Sequence, residues 1–229
     1  MAREFFDEQL ERLDTELLRM GALVERALDG ALHVLEDGDG ALAARLVEAD
    51  DAIDQKEREI ESLCLDLLLR QQPVARDLRR ISAVLKMVTD IERIGDQAAD
   101  IGGIVLDMGR DRAGGQAWIS APSLQQARHL VALGSAARSQ VSAAIDAFVS
   151  GDLGQARQVI ADDATVNGLF AAARSELFDW MRRSDEEQHD AIDLLLVAKY
   201  FERIGDHAQN IAEWVEYSVT GSYKGVPLA

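Results

Sequence analysis

The pentapeptide ERIGD occurs twice, at residues 92–96 and 202–206. Each copy sets two acids four residues apart, so on a helix both carboxylates share one face. Both stripes continue for another turn. Glu92, Asp96 and Asp100 recur every four residues, and Glu202, Asp206 and Asn210 repeat the spacing with an amide in last place. Upstream, Asp50 and Asp54 form another pair, and Asp163 and Asn167 its amide-bearing copy. Like charges at this spacing cost a few tenths of a kcal/mol, and Gly95 or Gly205 inside a helix costs about 1 kcal/mol relative to alanine.

Two such pairs facing each other across antiparallel helices would repel, raising their pKa values or splaying the helices. A cation reverses the sign of that argument. Carboxylates and amides without thiolate or imidazole suit hard ions: Mg²⁺, Mn²⁺, Ca²⁺ or iron. The two glycines would then let a neighbouring helix or a ligand approach closely. Plainer readings stand beside this one. Acid-rich helix faces are usually just solvated, and ERIGD could be a packing motif whose Glu92 and Glu202 pair with arginine. Repetition of both pairs at equivalent places is the feature that favours a site.

The elements that must position these residues are helical. Leu10, Leu13, Leu17, Met20, Val24 and Leu28 step by three and four, as one buried helix face does. The periodicity predicts helices at about 5–36, 40–70, 74–110, 122–150, 153–183 and 186–220. Breaks fall at EDGDG, QQP, GRDRAGGQAWISAP, VSGD and RRSDEEQ. Asp39 and Asp152 are natural N-caps, and Pro73 suits a first helical turn. The second and fifth helices align at an offset of 113 residues, placing Asp50 on Asp163 and Asp54 on Asn167. The third and sixth align at 110, placing ERIGDQAADI on ERIGDHAQNI. The chain is therefore expected to be all-α: two tandem, internally duplicated three-helix bundles, residues 1–112 and 120–221, joined by a linker at 113–119. Helices of this length, at about 1.5 Å per residue, predict an elongated molecule.

Composition bounds the function. With 229 residues, 48% of them hydrophobic and three prolines, the chain can bury a sizeable core. Its net charge of −17 repels phosphate backbones and anionic lipid, so nucleic acid is not an expected partner. The single cysteine, Cys64, lies in an apolar run and is expected to be buried. The first residues are charged and amphipathic without a leader's apolar core, and no run reaches the roughly 18 apolar residues of a membrane span. A soluble cytoplasmic protein is expected.

Other chemistry fits poorly. A di-iron oxidase needs two Glu-x-x-His motifs inside a bundle. Only residues 186–189 match, with no copy in the first half, and His207 corresponds to Gln97. No phosphate-binding loop or nucleophile elbow occurs. Arg76, Arg79 and Arg80 could bind an anion or a partner's acids, but pairing with nearby acids such as Asp77 or Glu61 is the favoured reading, and no enzymatic activity is expected.

Residues 71–101 (QQPVARDLRRISAVLKMVTDIERIGDQAADI) and 194–217 (LLLVAKYFERIGDHAQNIAEWVEY) resemble the PhoU family of phosphate-transport accessory proteins. The resemblance covers about residues 5–220. It implies paired three-helix bundles that bind metal through (E/D)xxxD motifs. The residues implicated are Asp50, Asp54, Glu92, Asp96 and Asp100 in the first bundle, and Asp163, Asn167, Glu202, Asp206 and Asn210 in the second. The metal implied is divalent or trivalent: Mg, Mn or Fe. The second set has two amides in place of acids and is expected to bind more weakly or to prefer another ion. The resemblance further implies a homodimeric negative regulator of the phosphate-starvation response and of phosphate uptake. Such a regulator links the ATPase subunit of a phosphate ABC transporter to a sensor histidine kinase, reaching the membrane only through partners. An accessory subunit of a low-affinity phosphate transporter and a metal-independent adaptor are the alternatives.

Overall fold

The computed structural model describes residues 2–110, 127–183 and 188–228. Among these, six long helices account for nearly the whole chain: α1 (Ala2–Asp37), α2 (Gly40–Gln71), α3 (Ala75–Arg110), α4 (Arg128–Ser150), α5 (Leu153–Met181) and α6 (Gln188–Thr220). The expected linker at 113–119, the predicted start of the fourth helix at 122 and residues 186–187 of the sixth lie outside the described residues.

Local chemistry sets the helix ends. Asp39 Oδ1 accepts from the backbone N–H groups of Ala41 and Leu42 at 2.9 and 3.0 Å, and Asp152 Oδ1 accepts from Gln155 at 3.0 Å. Both satisfy donors that an uncapped first turn leaves orphaned. Gly38 and Gly151 stand before them at φ 67°, the left-handed conformation that closes a helix C-terminus. Pro73 precedes α3 instead of opening it, because Gln72 leaves α2 in the left-handed region and Ala75 starts the next helix.

Short connections make sequential helices antiparallel neighbours. In the first bundle α1, α2 and α3 pack pairwise, and α4, α5 and α6 do the same in the second. The bundles join through α3 against α6 and α1 against α4. Leu13, Leu17, Met20 and Leu28 from α1, Val84, Met87 and Ile91 from α3, and Phe201 and Ile204 from α6 belong to one continuous buried core. Close approach of α1, α4 and α6 requires Gly134. A Cβ there would lie 2.7 Å from Leu32 Cδ2 and 2.8 Å from Phe201 Cζ.

Salt bridges lie along the helix surfaces. Arg138 grips both carboxylate oxygens of Asp29 at 2.9 and 3.3 Å, tying α4 to α1. Arg80 reaches Asp14 of α1 at 2.7 Å and lies over the Phe148 ring.

A terminal hairpin, β1 (Ser222–Tyr223) and β2 (Val226–Pro227), is absent from the helical prediction. Lys224 and Gly225 both adopt positive φ, as a two-residue turn matched to strand twist requires. Tyr223 stacks on Trp214 at 4.1 Å, and Lys224 pairs with the largely buried Glu213 at 2.9 Å. Among the described residues no helix is long and apolar enough to cross a membrane.

Candidate metal centre

Gly95 lets α2 and α3 approach. A Cβ at this position would lie 2.8 Å from Ile53 Cδ1 and 3.3 Å from Asp50 Oδ1. The glycine inside ERIGD thus admits the side chains of the neighbouring helix, bringing Asp50 over the acid stripe of α3.

Among the described residues, Asp50, Asp54 and Asp96 form the one group of three His, Cys, Asp or Glu side chains that each offer an atom within 4.8 Å of the others'. Oxygens on opposite sides of one hard cation stand about 4–5 Å apart, so a single ion can reach all three. Asp50 Oδ1 is buried and has no hydrogen-bond partner. Burial, reinforced by Asp96 and Asp54, raises the Asp50 carboxyl from 3.8 to about 6. The residues present fit a hard cation: they supply converging oxygens, one of them orphaned, and no competing soft donor.

Glu92 and Asp100 extend the cleft at its two ends. Glu92 Oε2 is buried without a hydrogen-bond partner, and burial followed by the charge of Asp96 lifts its carboxyl to about 7. Asp100 is exposed and, with Asp50, Asp96 and Asp107, lines an open groove of about 620 Å³ that no described basic side chain lines. Arg93 flanks the stripe, bonding Asp96 at 2.8 Å and standing 3.5 Å from Glu92, while Arg58 stands 3.5 Å from Asp54. These arginines are more than half exposed, so they screen the cleft weakly.

Glu57 was not among the expected residues. It lies in the same cleft, with its carboxyl raised first by burial and then by Glu61, while a Thr89 hydroxyl interaction opposes the rise. The spacing Asp50, Asp54, Glu57 is one helical stripe and is the signal that could have revealed it.

The second bundle repeats the frame with different chemistry. Val166 takes the place of Ile53, with its Cγ1 2.8 Å from a Cβ on Gly205. Asn167 Nδ2 donates to Asp163 Oδ2 at 2.6 Å, while Asp163 Oδ1 is buried without a partner. Burial raises the carboxyls of Asp163 and Asp206, with Glu202 adding to both. Glu202 pairs with Lys199 and not with arginine. Asn210 turns away from this group and donates to Asp90 of α3 at 3.3 Å. Gln140 of α4, buried and unanticipated, directs its Oε1 toward Gly205.

The fold and its paired clefts define a duplicated three-helix-bundle protein with a carboxylate-lined groove on its first repeat. A PhoU domain model matches residues 17–105 and 130–215, one match per bundle, and the chain belongs to the PhoU family. It is 36% identical over 217 residues to a phosphate-specific transport system accessory protein PhoU homolog of Pseudomonas aeruginosa, covering 95% of this chain and 86% of that one. The corresponding Clostridium acetobutylicum homolog is 34% identical, with coverage of 96% and 97%. The crystal structure of PhoU from Pseudomonas aeruginosa superposes with a TM-score of 0.84 at 35% identity, covering 95% of this chain and all of that one. That of the phosphate transport system regulatory protein PhoU from Streptococcus pneumoniae gives 0.83 at 26% identity, with 95% and 98% covered.

Proposed function

We propose that this protein is a cytoplasmic accessory regulator of phosphate transport that restrains phosphate uptake and the phosphate-starvation response. The observation carrying this reading is near full-length similarity to relatives named as phosphate-specific transport accessory proteins. In this reading it joins the ATPase subunit of a phosphate ABC transporter to a sensor histidine kinase, working as a homodimer without enzymatic activity. Its net charge of −17 favours fast encounter with basic partner surfaces.

The first bundle takes part through a hard metal ion, Mg²⁺, Mn²⁺ or iron. Asp50, Asp54 and Asp96 would hold it, with Glu92, Glu57 and Asp100 supplying surrounding negative charge. When bound, the ion neutralises this cleft and cross-links α2 to α3. These side chains bind and orient, and none is assigned a proton-transfer step.

Affinity capture from phosphate-replete cells tests the regulatory reading, using wild type and a Glu92→Ala/Glu202→Ala variant. Transporter ATPase and kinase should be recovered with wild type. Recovery of neither would overturn the proposal.

A further inference from the structure

The two repeats share a backbone frame but differ in the charges mounted on it. Around the first cleft stand six carboxylates: Asp50, Asp54, Glu57, Glu92, Asp96 and Asp100. At the corresponding positions the second repeat keeps Asp163, Glu202 and Asp206, and has Asn167, Phe170 and Asn210 in place of the others. One position changes in the opposite direction. Thr89 of the first repeat corresponds to Lys199 of the second.

The structure ties these exchanges together. Lys199 Nζ pairs with Glu202 one turn along α6 and stands 5.5 Å from the centroid of the Phe170 ring. Phe170 is the counterpart of Glu57, so the ring and the ammonium sit where the first repeat has a carboxylate and a hydroxyl. A cation facing an aromatic face is held by the ring quadrupole as well as by its acid. Its charge also reaches Asp206, lowering that carboxyl against the rise from burial. Across the groove, Asn167 occupies one oxygen of Asp163 with an N–H donor, at the place where Asp54 presents an acceptor. The three carboxylates left in the second repeat do not meet the mutual 4.8 Å spacing found for Asp50, Asp54 and Asp96.

We infer that the duplicated sites have diverged in kind: the first is a metal-ion site, and the second is closed to metal by the loss of carboxylates at 167, 170 and 210 together with a cation of the chain itself, Lys199, seated between Glu202 and Phe170. The inference rests on the metal reading of the first cleft. A tethered ammonium competes at high effective concentration, because its stem already places it beside its acid. An incoming ion would have to displace it and would find an amide N–H where the first cleft offers oxygen. The second bundle keeps the ERIGD geometry for packing, with Gly205 receiving Val166, and keeps its fold whether or not the ion is supplied.

Equilibrium dialysis of the full chain against Mn²⁺ alone tests this, after stripping with chelator. Wild-type protein should bind manganese, Asp96→Asn should lose it, and Asp206→Asn should keep it. Lys199→Thr, which installs the residue of the first repeat at an exposed position, should bind additional manganese, and adding Asp206→Asn should abolish the gain. Phe170→Glu in the Lys199→Thr background should tighten the gained site further. Equal loss of manganese in Asp96→Asn and Asp206→Asn would overturn the inference while leaving the first-site reading intact. Absence of binding by wild type would overturn the first-site reading. Failure of Lys199→Thr to gain manganese would overturn the role of the lysine in either case.

Discussion

Asp90 of α3 and Asn210 of α6 meet across the seam between the bundles, with the amide Nδ2 3.3 Å from the carboxylate Oδ1. By repeat alignment Asn210 is the counterpart of Asp100, and Asp90 is the counterpart of Tyr200. Asp100 in turn interacts with Tyr200. The two contacts are therefore the same contact with the repeats exchanged, and α3 and α6 run antiparallel through the seam. The last member of each acid stripe reaches the joint between bundles, Asp100 from the edge of its own cleft and Asn210 away from its stripe.

Removing the shared acceptor should weaken that joint. Asp90 accepts from Asn210 and also lies 2.8 Å from His207 Nδ1, and both side chains of the latter pair are mostly buried. Asp90→Ala strands these polar groups and should cost about 1–3 kcal/mol in chemical denaturation. Unchanged stability would mean that water replaces the carboxylate at no cost.

Adding a methyl group should have opposite effects at two helical glycines. Gly95→Ala drives a Cβ to 2.8 and 3.0 Å from Ile53 Cδ1 and Cγ2. Overpacking of about 1–3 kcal/mol should exceed the gain of about 1 kcal/mol in helix propensity. Gly168→Ala meets nothing within 4 Å and should keep that gain. Thermal unfolding should therefore rank Gly168→Ala above wild type and Gly95→Ala below it, and the reverse order would refute the packing role of the ERIGD glycine.

Stability should depend on pH in a defined direction. Asp50 titrates at about 6 and Glu92 at about 7 in the folded chain, against ordinary values of 3.8 and 4.5. The folded state therefore holds more protons than the unfolded state between about pH 4 and 7, and stability falls as pH rises through that window. The two groups together contribute on the order of 2–3 kcal/mol after allowance for solvent screening. Glu16, held below its ordinary value by Lys56, acts in the opposite sense, with its effect developing from the unfolded pKa downward. Melting in chelator should show the decline, and saturating Mn²⁺ should flatten it. A rise in chelator between pH 5 and 7.5 would contradict the buried, metal-free carboxylates.

Cys64 should report global unfolding. Its thiol is fully buried, and burial pushes it up to about 12. Alkylation at pH 8 should be negligible in folded protein and should track the unfolded fraction as denaturant is added. Rapid labelling of native protein would place this part of α2 in a more open state.

Much of this architecture is legible because each helix carries its own evidence. The steps of three and four from Leu10 to Leu28 mark α1, the aspartates at 39 and 152 mark helix starts, and two offsets reveal the duplication. The acid pairs of the first cleft are legible for the same reason, since spacing along one helix fixes which side chains share a face. Features requiring knowledge of facing helices are not. Gln140 sits among Arg138, Ser139 and Ser142 of α4, and nothing local indicates that it is buried against Gly205. Lys199 and Glu202 read as an ordinary i,i+3 pair until Thr89 and Phe170 are set beside them. The hairpin strands, two residues each, are too short to show alternation. Asn210 shows the limit of alignment, because its stripe continues into the seam.

Metal binding by the first repeat through Asp50, Asp54 and Asp96 is a proposal that a crystal can decide. Anomalous difference maps from crystals of the full chain grown with Mn²⁺ test it most directly. A peak is expected within about 2.0–2.6 Å of oxygens from all three aspartates, and none at Asp163, Glu202 and Asp206. A peak confined to the second repeat, or no peak between α2 and α3, would contradict it.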